Sequence, residues 1–484
     1  MPGFHIEHFG CRAARADGEL IAANLLALAS RQPFAADIVV VNTCSVTAEA
    51  DRAARAFIRK AHRDNPAAKI VVTGCYAQRA PGELASLAGV AVVVGNSHKA
   101  LLPAIVSDLA LAAAQPAPPA AALVPVASLR TGLADSAPVW ADDRFAHSFL
   151  EDASPDQIPF ASRAQTRPNL KIQEGCSNRC SFCVIPFTRG PSRSLPAASV
   201  FRQVDSFVAA GGNELVLSGI NLGRWGSDLA PAPGEPCTLA ALVRAIFDRT
   251  ALLRLRLSSI EPMDWNHDLI GLMRDFATPR SQPSRTISPE PAHSRFARHA
   301  HLPLQSGCDA VLRRMHRRYR PWHYADKVAS LVRAAGPDLT LGADVMAGFP
   351  GETDREFDET LAFIRELPFG YLHLFPFSPR PGTPGFALHS ASPIPASLLT
   401  ERMAVLRALA AEKTLEHRGR FIGRRLSVLT LHAPPTLAAH GRTAALSDNF
   451  LPVELDGIFP ANQLLHVHIA GLNSQGDLAA HKDP

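Results

Sequence analysis

The sequence predicts an α/β protein in three parts: an open parallel sheet, an incomplete barrel of six β/α units, and a small all-β tail. Three observations predict it. Short β-branched runs alternate with helix-like segments through residues 1–110, the pattern of an open parallel α/β sheet. A strand–helix repeat then runs six times between 166 and 392, short of the eight units of a closed barrel. Beyond residue 421 the helical pattern gives way to strand-like runs.

The chain has 484 residues, 47% of them hydrophobic, enough for two or three domains with real cores. A net charge of +5 is compatible with a polyanionic partner without requiring one. The 8 cysteines are too few for a disulfide scaffold, and six of them fall into two groups of three. The N-terminus, Met1 to Glu7, has neither the basic start nor the apolar core of a signal peptide. The apolar stretch Leu101 to Leu129 is broken by Asp108 and by prolines such as Pro116 and Pro125, so it cannot span a membrane. These features predict a cytoplasmic protein that makes no membrane contact.

In the first part, Ile38–Val41, Lys69–Val72 and Val90–Val94 read as buried strands. Glu49 to His62 reads as a helix that Asp64-Asn65-Pro66 stops. Cys11, Cys44 and Cys75 each stand just past the carboxyl end of a strand, the edge where ligands gather in open α/β sheets. A cysteine is often a small buried hydrophobe; three of three at strand ends favours a shared site. Residues 111–165 are rich in Ala and Pro and read as a linker.

The strands expected in the middle part are Leu170–Gln173, Glu214–Leu217, Arg254–Leu257, His299–Leu304, Leu339–Asp344 and Tyr371–Phe375. Helices such as Ala198–Ala210, Leu239–Asp248 and Glu356–Arg365 fill the gaps. Residues 278–297, with several prolines, read as an inserted surface loop. After the first strand comes Gly175-Cys176-Ser177-Asn178-Arg179-Cys180-Ser181-Phe182-Cys183. Three thiolates spaced Cys-x3-Cys-x2-Cys can hold three corners of a four-iron cube and leave the fourth iron open. A structural zinc needs four closed ligands, and no fourth Cys or His stands nearby. The spacing favours iron–sulfur and leaves zinc as the alternative.

Polar residues gather after the later strands, as in Ser218-Gly219-Ile220-Asn221 and Ser258-Ser259-Ile260-Glu261. A barrel that grips a small molecule needs such groups at its mouth. Arg313 to Arg318 reads as the solvated face of a helix. Arg189 and Arg193 follow the cysteine loop directly, where phosphate contact is the expected role. Cys237 and Cys308 belong to neither triad. Residues 393–420 read as a connecting helix and 421–476 as the β-rich tail, with strands at Arg424–Leu431, Leu451–Leu455 and Leu464–Ile469.

The cysteine loop resembles the signature of the radical S-adenosylmethionine (SAM) enzymes. Taken with Gly10-Cys11-Arg12, Asn42-Thr43-Cys44-Ser45-Val46-Thr47, Thr73-Gly74-Cys75-Tyr76-Ala77-Gln78 and Pro186-Phe187-Thr188-Arg189-Gly190, the chain resembles the methylthiotransferases over nearly its whole length. The resemblance implies a radical SAM barrel for 166–392 and an RNA-binding TRAM-like barrel for the tail. It implies two 4Fe-4S clusters, one on Cys176, Cys180 and Cys183, the other on Cys11, Cys44 and Cys75. It implies SAM on the open iron of the first, with Phe182 against the adenine. Ser218, Gly219, Asn221, Ser258 and Glu261 become the candidates for SAM contact by their position.

Ala14 and Gly18 stand where the family usually has Asn and Ser. The motif spelling favours the branch acting on N6-threonylcarbamoyladenosine beside the tRNA anticodon. Three rivals are the branch acting on N6-isopentenyladenosine, the branch acting on a ribosomal-protein aspartate, and a non-enzymatic zinc protein that binds RNA. The implied partners are the tRNA anticodon stem-loop, an electron donor such as flavodoxin or ferredoxin, and a sulfur source.

Overall fold

Val40, Val41, Val71, Val72, Val93 and Val94 show why the first part folds as a sheet: all are buried, alternately on its two faces. The computed structural model describes residues 3–31, 37–112, 136–143, 145, 166–277 and 293–483. The chain divides into two units, each described on its own below. The first takes Met1–Ala161, Glu174–Asn178 and Cys183–Pro191; the second takes Ser162–Gln173, Arg179–Phe182 and Ser192–Pro484.

In the first unit the strands are β1 (Phe4–His8), β2 (Ile38–Thr43), β3 (Lys69–Gly74), β4 (Val90–Gly95) and β5 (Val139–Trp140), side by side in chain order. All four pairings are parallel. One face packs Val40, Val71 and Val94 against Ile21, Leu25 and Val106. The other packs Val41, Val72 and Val93 against Ile58, Tyr76 and Leu84. A parallel sheet covered on both faces needs continuous β-branched runs rather than alternation, and that is how these strands read. Each such buried side chain contributes roughly 1.5–3 kcal/mol. The helix Ala48–Asp64 starts where the Thr47 hydroxyl accepts the Ala50 amide at 3.2 Å, and Asn65 ends it ahead of Pro66.

The expected linker proves partly ordered: a helix runs Leu102–Ala112, and Val139–Trp140 adds a fifth strand to the sheet. Residues 113–135 and 146–165 of that stretch lie outside the described residues.

In the second unit β6 (Asn169–Glu174), β7 (Arg193–Ser194), β8 (Glu214–Gly219) and β9 (Arg254–Leu257) form a sheet in the order β7-β6-β8-β9. Glu174 itself falls in the first unit. β10 (His299–His301), β11 (Thr340–Ala347) and β12 (Phe369–Pro376) form a second sheet, all parallel. All six expected strands are present, yet they make two sheets rather than one. An isolated parallel bridge, Leu255 to Phe296, links them. β10 stops short of the expected Leu304 because Pro303 lacks an N–H and Gln305 takes a φ of 65°. The expected insertion ends early, since Phe296 and Ala297 are buried in the fold; residues 278–292 lie outside the described residues.

A helix, Ala396–Gly419, leads into β13 (Arg425–Thr430), β14 (Arg442–Ser447), β15 (Pro452–Asp456), β16 (Leu464–Leu472) and β17 (Leu478–Lys482). These close into a barrel in the order β13-β14-β15-β17-β16, which leaves no free edge. Leu426, Val428, Leu455, Val467, Ile469 and Leu478 fill it. The barrel therefore runs beyond the expected end at 476. β14 and β17 escape a reading from sequence because alanine replaces the β-branched residues that mark strands.

Asp448 of the barrel pairs with Arg298 at 2.8 Å, and Arg254 Nη2 donates to Ser427 Oγ at 2.6 Å. No helix among the described residues is long and apolar enough to cross a membrane.

Candidate functional site

The parallel sheet of the first unit delivers three cysteines to one edge. β1 ends at His8 and Cys11 follows; β2 ends at Thr43 before Cys44; β3 ends at Gly74 before Cys75. Gly10 has a φ of 112°, and a Cβ there would lie 2.7 Å from Cys44 Cβ and 2.9 Å from its sulfur. Only glycine lets the chain carrying Cys11 come that close to Cys44. Cys44 and Cys75 are buried and Cys11 is exposed. Burial, then the nearby Cys75 and Cys11, push the Cys44 thiol up to about 12. A cation bound among these sulfurs would reverse the effect on Cys44.

Donors are already in place for thiolates. The Val46 amide points at Cys44 Sγ at 3.5 Å, Asn96 Nδ2 at Cys75 Sγ at 3.5 Å, and Arg189 Nε at Cys75 Sγ at 3.2 Å. Thiolates met by N–H donors in this way are ligands that an iron–sulfur cluster can use.

Behind the triad lies a buried charge network. Arg189 Nη1 reaches Glu174 at 2.7 Å and Asp17 at 3.1 Å, and Lys99 Nζ reaches Asp17 at 2.6 Å and Glu174 at 3.8 Å. All four side chains are essentially enclosed. Two cations and two anions balance, and Arg189 is left with Nε for Cys75. Burial opposes the charge on Arg189, but Cys75, Glu174 and Asp17 hold its pKa well above the usual value. The expected phosphate contact is thereby corrected for Arg189, which is 0% exposed and cannot reach RNA. Arg193 is partly exposed in β7 and keeps the expectation.

The network was missed from sequence. Glu174 and Arg189 flank the cysteine loop and carried a positional signal; Asp17 and Lys99 carried none. The departures noted beside Cys11 find a local reason. A side chain at Gly18 would enter the space of the His8 ring, and Ala14 is buried with its carbonyl accepting Asn42 Nδ2 at 2.6 Å.

In the cysteine loop, Asn178 N donates to Cys176 Sγ and Ile185 N to Cys183 Sγ, both at 3.4 Å. These two repeat the amide-to-sulfur pattern of Val46 on Cys44, each amide two residues beyond its cysteine. In the second unit, Arg317 Nη1 donates to Cys180 Sγ at 3.1 Å while its other terminal nitrogen binds Glu261 at 2.5 Å. Arg317 is only 6% exposed, so the solvated-face reading fails for it. The helix Asp309–Arg314 ends first, and the chain then turns Arg317 inward. Ser181 is pinned by Met315 and Gly385 backbone groups, which fixes the neighbouring Phe182, itself half-buried.

The other candidates cluster at the carboxyl ends of β8 and β9. Gly219 lets Gln173 pack close, and Gln173 Oε1 accepts the Asn221 amide at 2.6 Å. Ser218 and Ser258 are buried, yet their hydroxyls find no hydrogen-bond partner among the described residues. Buried hydroxyls left so are costly unless a ligand completes them. Glu261 is instead held by Arg317. Cys308 is buried and Cys237 exposed.

Residues 3–95 match a family model described as "Uncharacterized protein family UPF0004". The chain is 32% identical to the "Threonylcarbamoyladenosine tRNA methylthiotransferase MtaB" of Bacillus subtilis, covering 87% of this chain and 82% of that one. It is 30% identical to the "tRNA-2-methylthio-N(6)-dimethylallyladenosine synthase" of Acidothermus cellulolyticus, covering 96% and 82%. Among solved structures, the radical S-adenosylmethionine methyltransferase TsrM of Kitasatospora setae matches with a TM-score of 0.49 and 17% identity, covering 77% and 69%. The cysteine edge, the cysteine loop and the reach of these sequence matches agree: this chain belongs to the methylthiotransferase family.

Proposed function

We propose that this chain converts N6-threonylcarbamoyladenosine beside the tRNA anticodon to its 2-methylthio derivative by radical SAM chemistry. The observation that carries the nucleoside is the match to the Bacillus subtilis relative named for it, over 82% of that relative's length. Cys176, Cys180 and Cys183 hold one 4Fe-4S cluster and Cys11, Cys44 and Cys75 hold a second. When bound, the clusters and SAM supply one-electron chemistry that no side chain offers.

The chain's own residues bind and orient. Ser218 and Ser258 present hydroxyls that a polar ligand such as SAM would satisfy, beside Gly219 and Asn221. Phe182 offers an apolar face for the adenine. Arg317 ties Cys180 to Glu261, so Glu261 positions the loop rather than SAM. Arg193 and the closed C-terminal barrel, read as TRAM-like, meet the RNA backbone. An electron donor such as flavodoxin or ferredoxin and a sulfur source complete the reaction, in the cytoplasm where tRNA resides.

The Acidothermus cellulolyticus relative, at nearly the same identity, favours a second reading in which N6-isopentenyladenosine is the substrate. Mass spectrometry of tRNA nucleosides from a deletion strain separates the two. Loss of 2-methylthio-N6-threonylcarbamoyladenosine supports the proposal. Retention of it, with loss of the methylthio derivative of isopentenyladenosine, overturns the choice of nucleoside.

A further inference from the structure

We propose that His301, Asp344 and His373 form a binding site for a divalent transition cation, zinc foremost, that uses none of the cysteines. Among the described residues they are the group whose His, Cys, Asp or Glu ligand atoms all lie within 4.8 Å of one another. The strands dictate this. β10, β11 and β12 are parallel neighbours, and Asp344 stands opposite His373 in the β11–β12 register. His301 pairs with Gly342, two residues before Asp344, so strand alternation puts all three side chains on one face.

The distances suit a cation. His301 Nε2 lies 3.0 Å and His373 Nδ1 3.3 Å from the same oxygen, Asp344 Oδ1. Nitrogen and oxygen ligands held about 2.0–2.2 Å from a zinc ion stand about 3–4 Å apart, so a small shift admits the ion. His301 is 4% exposed, and its Nε2 faces the Asp344 carboxylate.

The outer contacts also look like those of a metal ligand. Tyr371 Oη sits 2.9 Å from His301 Nδ1 and 2.8 Å from His299 Nε2, which fixes the ring of His301 and leaves Nε2 facing inward. Metal-bound histidines are oriented in this way through their second nitrogen. His373 is 51% exposed at its side chain and Asp344 22%, so the site opens to solvent on one side. Two histidines and one carboxylate leave at least one position on the ion for water or another oxygen ligand. The ion would also clamp three adjacent strands of one sheet.

The test uses the full-length, cluster-loaded protein under anaerobic conditions, dialysed to equilibrium against micromolar zinc chloride. Zinc and iron per chain are then measured by mass spectrometry. The expected result is one zinc per wild-type chain that His373→Ala loses, with the iron content unchanged. Asp344→Asn should weaken zinc binding at least tenfold. Because the cysteines are common to all three proteins, zinc captured by vacant cluster sites would show equally in each. Equal zinc in wild type and both variants, or none retained by the wild type, overturns the proposal. Should His373→Ala lower the iron content, His373→Gln reads the same quantity in a bulkier side chain, and its retention of the zinc would likewise refute the site.

Discussion

Arg189 Nε donates a hydrogen bond to Cys75 Sγ at 3.2 Å from a position that is wholly buried. The guanidinium thus serves both the sulfur edge and the Asp17–Glu174 carboxylates. Arg189→Gln keeps some hydrogen bonding and removes the charge. Asp17 and Glu174 then share Lys99 alone. Breaking such a buried pair costs about 3–5 kcal/mol, far more than an exposed pair is worth. The expected outcome is a lower unfolding temperature at pH 7 together with lost iron. Arg189→Lys should recover part of the stability but not the Cys75 contact. An unchanged melting temperature in Arg189→Gln would show that the network carries no stability.

Cys44 and Cys180 separate the two proposed clusters. Cys44→Ala should leave SAM cleavage intact and abolish methylthiolation, while Cys180→Ala should abolish both. The measurements are 5′-deoxyadenosine release and methylthiolated nucleoside on the same preparations. Full methylthiolation by Cys44→Ala would refute the role of Cys11, Cys44 and Cys75.

Gly10→Ala tests the same edge through the backbone. The added Cβ meets Cys44 Cβ and sulfur at 2.7 and 2.9 Å, and the φ of 112° strains any L residue. A clash of this kind costs on the order of 1–3 kcal/mol. The variant should fold and lose about half of its iron, because one of two clusters is disturbed. Gly211→Ala is the control: it shares a positive φ of 84° but has open space around its Cβ, so its iron should match wild type.

The cysteines were legible in sequence because thiols at strand ends report both fold and chemistry, and the spacing survives any detail of packing. Arg189 was misread for the opposite reason. Its neighbours along the chain suggested a phosphate, but burial depends on Asp17, 172 residues away. Lys99 meets Asp17 across 82 residues, and no local pattern encodes that pairing. Arg317 looked solvated because it follows a basic helical run, yet the helix ends at Arg314. His301, Asp344 and His373 went unremarked because each stands in a strand that reads as core. Only the parallel register of β11 and β12 sets Asp344 opposite His373.

Histidine protonation sets the expected pH response. His417 is buried and bonded to Thr340 Oγ1 at 2.8 Å; burial first, then Arg420 and Arg418, pull its pKa down to about 4. In the unfolded chain the usual value near 6.5 returns. A base whose folded value is depressed gives stability that is present above pH 6.5 and lost as pH falls toward 4. The slope approaches about 1.4 kcal/mol per pH unit below the upper value. His417→Gln should flatten the decline in melting temperature between pH 7.5 and about pH 5. Glu214 does not interfere. Burial alone would raise its carboxyl, but Arg256, Arg167 and Arg254 hold it at about 2, so its contribution begins to fall only below about pH 4.5. A His417→Gln profile parallel to wild type would refute the assignment.

Arg317 joins Cys180 to Glu261, and the pairing separates a role in positioning from a role in binding SAM. If Glu261 acts by holding Arg317 on the sulfur, Glu261→Gln and Arg317→Gln should fail alike. Each removes one end of a charge-assisted pair and loosens the donor on Cys180. Groups that orient a ligand from behind typically cost about 10- to 100-fold when lost. SAM cleavage should therefore fall by that factor in both, and the double variant should be no worse than either alone, because the two residues act through one contact. A midpoint potential measured by anaerobic redox titration should also shift downward in Arg317→Gln, since a cationic donor to a cluster sulfur favours the reduced state. If Glu261 contacts SAM directly, Glu261→Gln should weaken SAM binding while leaving the potential in place, and the double variant should be worse than Arg317→Gln alone.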